Sequence, residues 1–178
     1  MVKSYKVELV GTSSILMHKF NGQDEEKKTK TLPDKEQAEK HAYRLSSGNL
    51  AVPAEWIRGC IINGYINRAG LKQKTETKKR VSPRIVVQPS LIDLHMKEYE
   101  INKRSVSSGG IAKGTRDFCV RPLIPDGWKI ELTIQTELDD SDADFKRNLE
   151  LAGIDIGIGS NRMNGYGRFE VTGFERQS

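Results

Sequence analysis

The chain has 178 residues, 36% of them hydrophobic and 30% charged, with a formal net charge of +5. This length suits one domain with insertions, the composition supports a modest core beneath a heavily ionised surface, and no apolar run reaches the length of a transmembrane helix. The N-terminus lacks the apolar run and cleavage site of a secretory signal, so the expected setting is the cytoplasm, with no membrane partner.

Tyr5 to Gly11 alternates like a half-buried strand, and Ile15, Leu16 and Met17 extend it or begin its exit. Residues 21–30 are polar and charged, which predicts a mobile loop. Pro33 and Asp34 open a helix that runs to Leu45 and ends near Gly48, with Ala38, Ala42 and Leu45 on one face. A second helix enters at Pro53 and stops at Gly70; Trp56, Ile57, Cys60, Ile61 and Tyr65 are its expected core residues. Arg58 sits one turn from its start, where backbone donors favour anions. Then Arg68, Lys72, Lys74, Lys78, Lys79, Arg80 and Arg84 are opposed only by Glu76, which predicts a basic surface; the plainer account is a solvated linker.

Residues 84–95 read as one or two strands, with Pro89 at a bulge or edge. Tyr99 and Ile101 on one side, and Phe118 and Val120 on the other, flank Ser107, Ser108, Gly109 and Gly110, so 96–121 is read as an extended hairpin able to reach over a ligand. Pro125, Asp126 and Gly127 form a turn before the strand 128–136. Asp139 or Ser141 caps a helix whose apolar residues are Phe145, Leu149, Leu151 and Ala152, and a glycine-rich loop then leads into a strand over 169–174. The expected fold is α+β, a ferredoxin-like, RNA-recognition-type βαββαβ core within one domain, 1–178. It carries a loop-helix insertion at 21–48 and a thumb-like hairpin insertion at 96–121, between the middle strands.

The glycine-rich loop carries the strongest functional signal. Gly157, Gly159 and Gly165 allow close backbone approach, and Arg162, Tyr166 and Arg168 suit a phosphodiester and a base. The loop is neither a nucleoside-triphosphate loop nor a dinucleotide fingerprint, because a strand follows the glycines where a helix should. Gly109 to Thr115 has glycines at the wrong spacing for the first of these. Cys60 and Cys119 form no paired motif and are read as buried thiols, while His18, His41 and His95 lie far apart along the chain. The expectation is no metal and no cofactor.

Three places resemble the repeat-associated mysterious proteins of CRISPR systems, above all their guide-RNA-binding backbone subunit. Val52-Pro53-Ala54-Glu55-Trp56-Ile57-Arg58-Gly59 is similar to that family's Ile-Pro-Gly-Ser-Ser-Leu-Arg/Lys-Gly helix entrance, Pro125-Asp126-Gly127 with its strand resembles the second hairpin, and 157–168 resembles the glycine-rich signature. Ala54-Glu55-Trp56 departs from the family's small residues, and the Gly-x-Asp-Asn context of its RNA-cleaving members is absent. The resemblance implies that 96–121 is a thumb crossing guide RNA and that subunits stack into a helical filament with other ribonucleoprotein subunits.

The leading expectation is a sequence-independent binder of single-stranded guide RNA, cellular or phage-borne. Its contacts are Lys19, Arg44, Arg58, Arg104, Phe118, Arg121, Gly157, Gly159, Arg162, Gly165, Tyr166 and Arg168. No catalytic residue is assigned. One alternative is a guide-processing endoribonuclease of the same superfamily, using His18 or His41 with Lys19 or Arg44 stabilising the phosphorane. The other is a scaffold module whose arginines and aromatics serve a protein interface.

Overall fold

β1 (Lys3–Gly11) buries Tyr5, Val7 and Leu9 and turns Lys6 and Glu8 outward, as its alternation demands. The structure, a computed structural model, describes residues 1–107 and 116–178. β2 (Ile15–Leu16) follows the apolar exit from β1 but pairs into a different sheet.

Where the sequence predicts a mobile loop, the chain forms α1 (Gln23–Thr29). Asp24, Glu25 and Glu26 fill its first turn and Lys27 and Lys28 its last, which complements the helix dipole, and Lys28 pairs with Glu25 at 2.9 Å. Charge order, with Thr29 as the only buried side chain in the helix, supports it where apolar periodicity is missing. α2 (Asp34–Lys40) is shorter than expected: the chain leaves it at His41, and Arg44 bridges in extended form to Leu50. Ala38 and Ala42 are buried as anticipated; Leu45 is half-buried.

β3 (Ala51–Pro53) runs directly into α3 (Ala54–Ala69), where Ile57, Cys60, Ile61 and Tyr65 are buried and Trp56 packs half-buried against the core. The basic stretch is not a linker. A 3₁₀ turn at Leu71–Gln73 leads into α4 (Lys74–Val81), which buries Thr77 and Val81, one turn apart, and leaves its lysines in water. β4 (Ile85–Gln88) and β5 (Leu91–Asp93) lie on either side of Pro89 and join different sheets; β5 pairs with β3.

β6 (Glu100–Ser107) and β7 (Arg116–Ile124) form the anticipated hairpin, and β7 also pairs with β2. The turn expected after Ser107, and the whole Gly109 to Thr115 segment, lie outside the described residues. β8 (Lys129–Thr136), α5 (Asp142–Asp155) and β9 (Phe169–Gln177) complete the chain. Leu151, expected in the apolar face of α5, is exposed.

The principal sheet has the order β4-β8-β1-β9 with antiparallel neighbours. Thus α3 joins β1 to β4 and α5 joins β8 to β9, each crossing over one intervening strand. The two helices pack on each other and on the sheet's apolar face. The register puts Lys6, Glu8, Glu131, Gln135, Val86 and Glu175 on the opposite face, which carries no aromatic ring on which a base could stack. Among the described residues, no helix is long and apolar enough to cross a membrane.

Ser141, of the two caps anticipated for α5, is the one used: its Oγ accepts the Asp144 amide at 3.1 Å. Ser141→Ala is expected to cost about 1 kcal/mol and to lower Tm by about 3 °C in a thermal melt.

Candidate nucleic-acid interface

The glycine-rich loop is built into the fold through its own backbone. Gly157 and Ile158 donate to the carbonyls of Ala152 and Gly167, Ser160 to Leu16, Gly165 to Arg162, and Gly167 to Ser14, all between 2.8 and 3.0 Å. Ser13 locks the far side: its Oγ donates to the Gly165 carbonyl at 2.7 Å and accepts the Arg168 amide at 2.8 Å. These amides are therefore spent inside the protein, so Gly157, Gly165 and Gly167 offer no backbone donor to a phosphate.

The glycines answer a packing demand instead. A Cβ on Gly167 would sit 1.8 Å from the Ile158 carbonyl oxygen, one on Gly157 would sit 2.6 Å from that of Gly167, and one on Gly159 would sit 2.9 Å from that of Leu16. Gly165 faces open space, and its φ of +84° is the left-handed turn that ends the short 3₁₀ segment Arg162–Asn164. The loop is thereby a stiff platform, and its side chains are what it offers to a ligand.

Those side chains meet the root of the β6–β7 hairpin. The Arg104 guanidinium lies over the Tyr166 ring at 5.2 Å, within cation–π range. Arg121 is buried, donates from Nη1 to Ser160 Oγ at 3.0 Å, and has an Nε that is buried without a hydrogen-bond partner. Arg168 donates from Nη2 to the Arg162 carbonyl at 3.2 Å, and its Nη1 is likewise buried and unpartnered. A buried guanidinium donor without an acceptor is costly, and an anionic oxygen is the natural partner. Arg162 and Arg168 line a cavity of about 630 Å³ with Asn63, Asn67, Asp155 and Ser160. Ser13 and Ser160, which fix the loop and one arginine, were not singled out in the sequence. Ser160 follows Gly159 directly, and Ser13 lies two residues past β1; neither position announces its partner.

The remaining candidates lie elsewhere. Arg58 turns into the protein: Nε donates to the Ile85 carbonyl at 3.1 Å and Nη2 to the carbonyl and Oγ of Ser82, so it ties α3 to the start of β4. Arg44 holds Glu39 through two bonds, donates to the carbonyls of Gly48 and Lys97, and lies 5.7 Å over Tyr99. That contact with Arg44 is the first cause holding the Glu39 carboxyl below its ordinary pKa. Lys19 is exposed, with its ammonium 5.9 Å over Tyr43. Phe118 is exposed on the hairpin beneath Lys103 at 5.4 Å.

The two cysteines differ in environment. Cys60 is fully buried, and burial pushes its thiol up to about 12, whereas Cys119 is half-buried. A disulfide-exchange reagent is expected to titrate one thiol in the native protein, Cys119, and both in denaturant. The fold also unites His18 and His41, which the sequence keeps 23 positions apart: their rings stack at 4.3 Å. Burial, and then the neighbouring His41, push the His18 imidazole below its ordinary pKa.

No protein-family profile and no curated protein matches the sequence. Solved structures do. A chain in the cryo-EM structure of the type III-B Cmr-beta bound to cognate target RNA superposes with a TM-score of 0.62 at 13% identity. The match covers 98% of this chain, which spans 60% of that one. Cmr6 from Pyrococcus furiosus superposes with a TM-score of 0.50 at 12% identity, over 95% of this chain and 97% of that one. Both are type III-B CRISPR subunits, and the chain shares their fold.

Proposed function

We propose, from the fold this chain shares with type III-B CRISPR subunits, that it is a sequence-independent guide-RNA-binding backbone subunit of a CRISPR-type ribonucleoprotein. The core is read as a ferredoxin-like βαββαβ unit in a single domain; the strand order β4-β8-β1-β9 with two crossover helices supports this. Insertions occupy 21–48 and 96–121, and the second acts as a thumb.

The observation that carries the reading is the pair of buried, unpartnered guanidinium donors on Arg121 and Arg168, set where the glycine-rich platform meets the hairpin. Phosphates complete these donors and Arg162, while Tyr166 under Arg104 and the exposed Phe118 supply faces for bases. RNA runs along this junction and not across the open sheet face, which has no stacking ring. The nuclease alternative is weaker, because His41 is 4% exposed and the Arg44 guanidinium is already held by Glu39 and the carbonyls of Gly48 and Lys97.

Subunits then repeat along the strand, in contact with other ribonucleoprotein subunits. Labelled single-stranded RNA of increasing length, followed by anisotropy and particle mass across a salt series, tests this. Several proteins per RNA, with salt-sensitive affinity, is the expected result. Binding without assembly removes the filament, and no binding leaves only a scaffold.

A further inference from the structure

His18 lies two residues beyond β2, and His41 caps the C-terminal end of α2 with 4% exposure. Glu26, from α1, reaches into the space beside them. Its Oε1 is 3.7 Å from His41 Nδ1 and 4.0 Å from His18 Nε2. That oxygen is buried and has no hydrogen-bond partner. A carboxylate oxygen withdrawn from water without a donor is costly, and a cation removes the cost.

One ligand atom from each of these residues lies within 4.8 Å of the other two. We propose that His18, Glu26 and His41 bind a divalent transition metal of the zinc class. Two imidazole nitrogens and a carboxylate oxygen suit zinc or cobalt better than magnesium or calcium, which prefer oxygen ligands throughout. His18 turns Nε2 toward Glu26 and has its Nδ1 4.0 Å from Cys119 Sγ, whereas His41 turns Nδ1 toward Glu26, so that metal binding exchanges the 3.1 Å contact of this nitrogen with the Lys19 carbonyl for the ion.

Binding requires a small closure. Metal–ligand bonds of about 2.1 Å draw the three atoms inward, and the two rings leave their near-parallel stack, tilted by 18°, by turning about the soft Cβ–Cγ torsions. The ion then fastens α1 to the exit of β2 and the end of α2, and α2 packs on β6 and β7. The 21–48 insertion is thus clamped against the base of the hairpin.

The test uses the full chain stripped with a chelator, then titrated with zinc by calorimetry and with cobalt by visible absorption. Wild type takes up one ion per chain with a rise in Tm. His18→Asn and Glu26→Gln, at partly exposed positions, keep the wild-type circular dichroism and lose affinity by about tenfold or more. Cys119→Ser retains binding. The proposal is overturned by a wild-type protein that takes up no stoichiometric ion. It is equally overturned by His18→Asn and Glu26→Gln proteins that bind as wild type does, or by a loss of uptake confined to Cys119→Ser.

Discussion

Gly167→Ala lowers unfolding free energy by about 3–5 kcal/mol, whereas Gly165→Ala, two residues away in the same loop, costs about 1 kcal/mol. Both glycines have positive φ, +72° and +84°. The left-handed backbone penalty is therefore nearly common to the two. What separates them is space: the added methyl meets the Ile158 carbonyl oxygen at 1.8 Å in one case and nothing within 4 Å in the other. That carbonyl belongs to a residue whose amide bonds to Gly167 itself, so it cannot retreat without breaking the pairing that closes the loop. Urea denaturation with an unchanged m-value measures the difference. Equal costs at the two sites would mean that the loop yields, and that the platform beneath Arg162, Tyr166 and Arg168 is not stiff.

This loop also shows what the sequence disclosed and what it withheld. Its glycines, arginines and tyrosine were legible as a unit because the residue types are unusual together. Their division of labour was not, since a glycine that admits a ligand and a glycine that admits its own backbone have the same letter. Only the contacts at Ile158, Leu16 and Gly167 distinguish them. Arg58 misled for a related reason: helix-start position predicted an anion, but the carbonyls of Ile85 and Ser82 come from a segment 24 or more residues away. The strands were easier to read, because β1 and β8 alternate cleanly and each keeps its apolar set on one face. α1 was missed because it is held by charge order and by partners outside the helix, and α4 because its buried stripe is two residues wide. The stack of His18 on His41 depends on where the end of α2 lands against the exit of β2, a tertiary fact with no local signature.

Separating charge from stacking gives the sharpest test of the proposed RNA junction. With roughly 4 to 6 phosphate contacts per subunit, affinity for single-stranded RNA falls with salt at a log–log slope of roughly −3 to −4. Arg162→Ala and Arg168→Gln each remove a phosphate contact and flatten the slope by about 0.7. Arg168→Gln also changes the bond to the Arg162 carbonyl. Arg168→Lys therefore serves as its partner variant: it keeps the charge and the slope while losing the forked geometry. Tyr166→Ala removes a stacking face, weakening binding by about 1–3 kcal/mol with the slope unchanged. Arg58→Met, whose native donors already serve Ile85 and Ser82, lowers stability and leaves the slope as it was. A wild-type slope flatter than about −1 would sink the electrostatic mechanism outright. If the slope is steep but indifferent to Arg162 and Arg168, the phosphates lie elsewhere, and the lysines of α4 become the surface to mutate next.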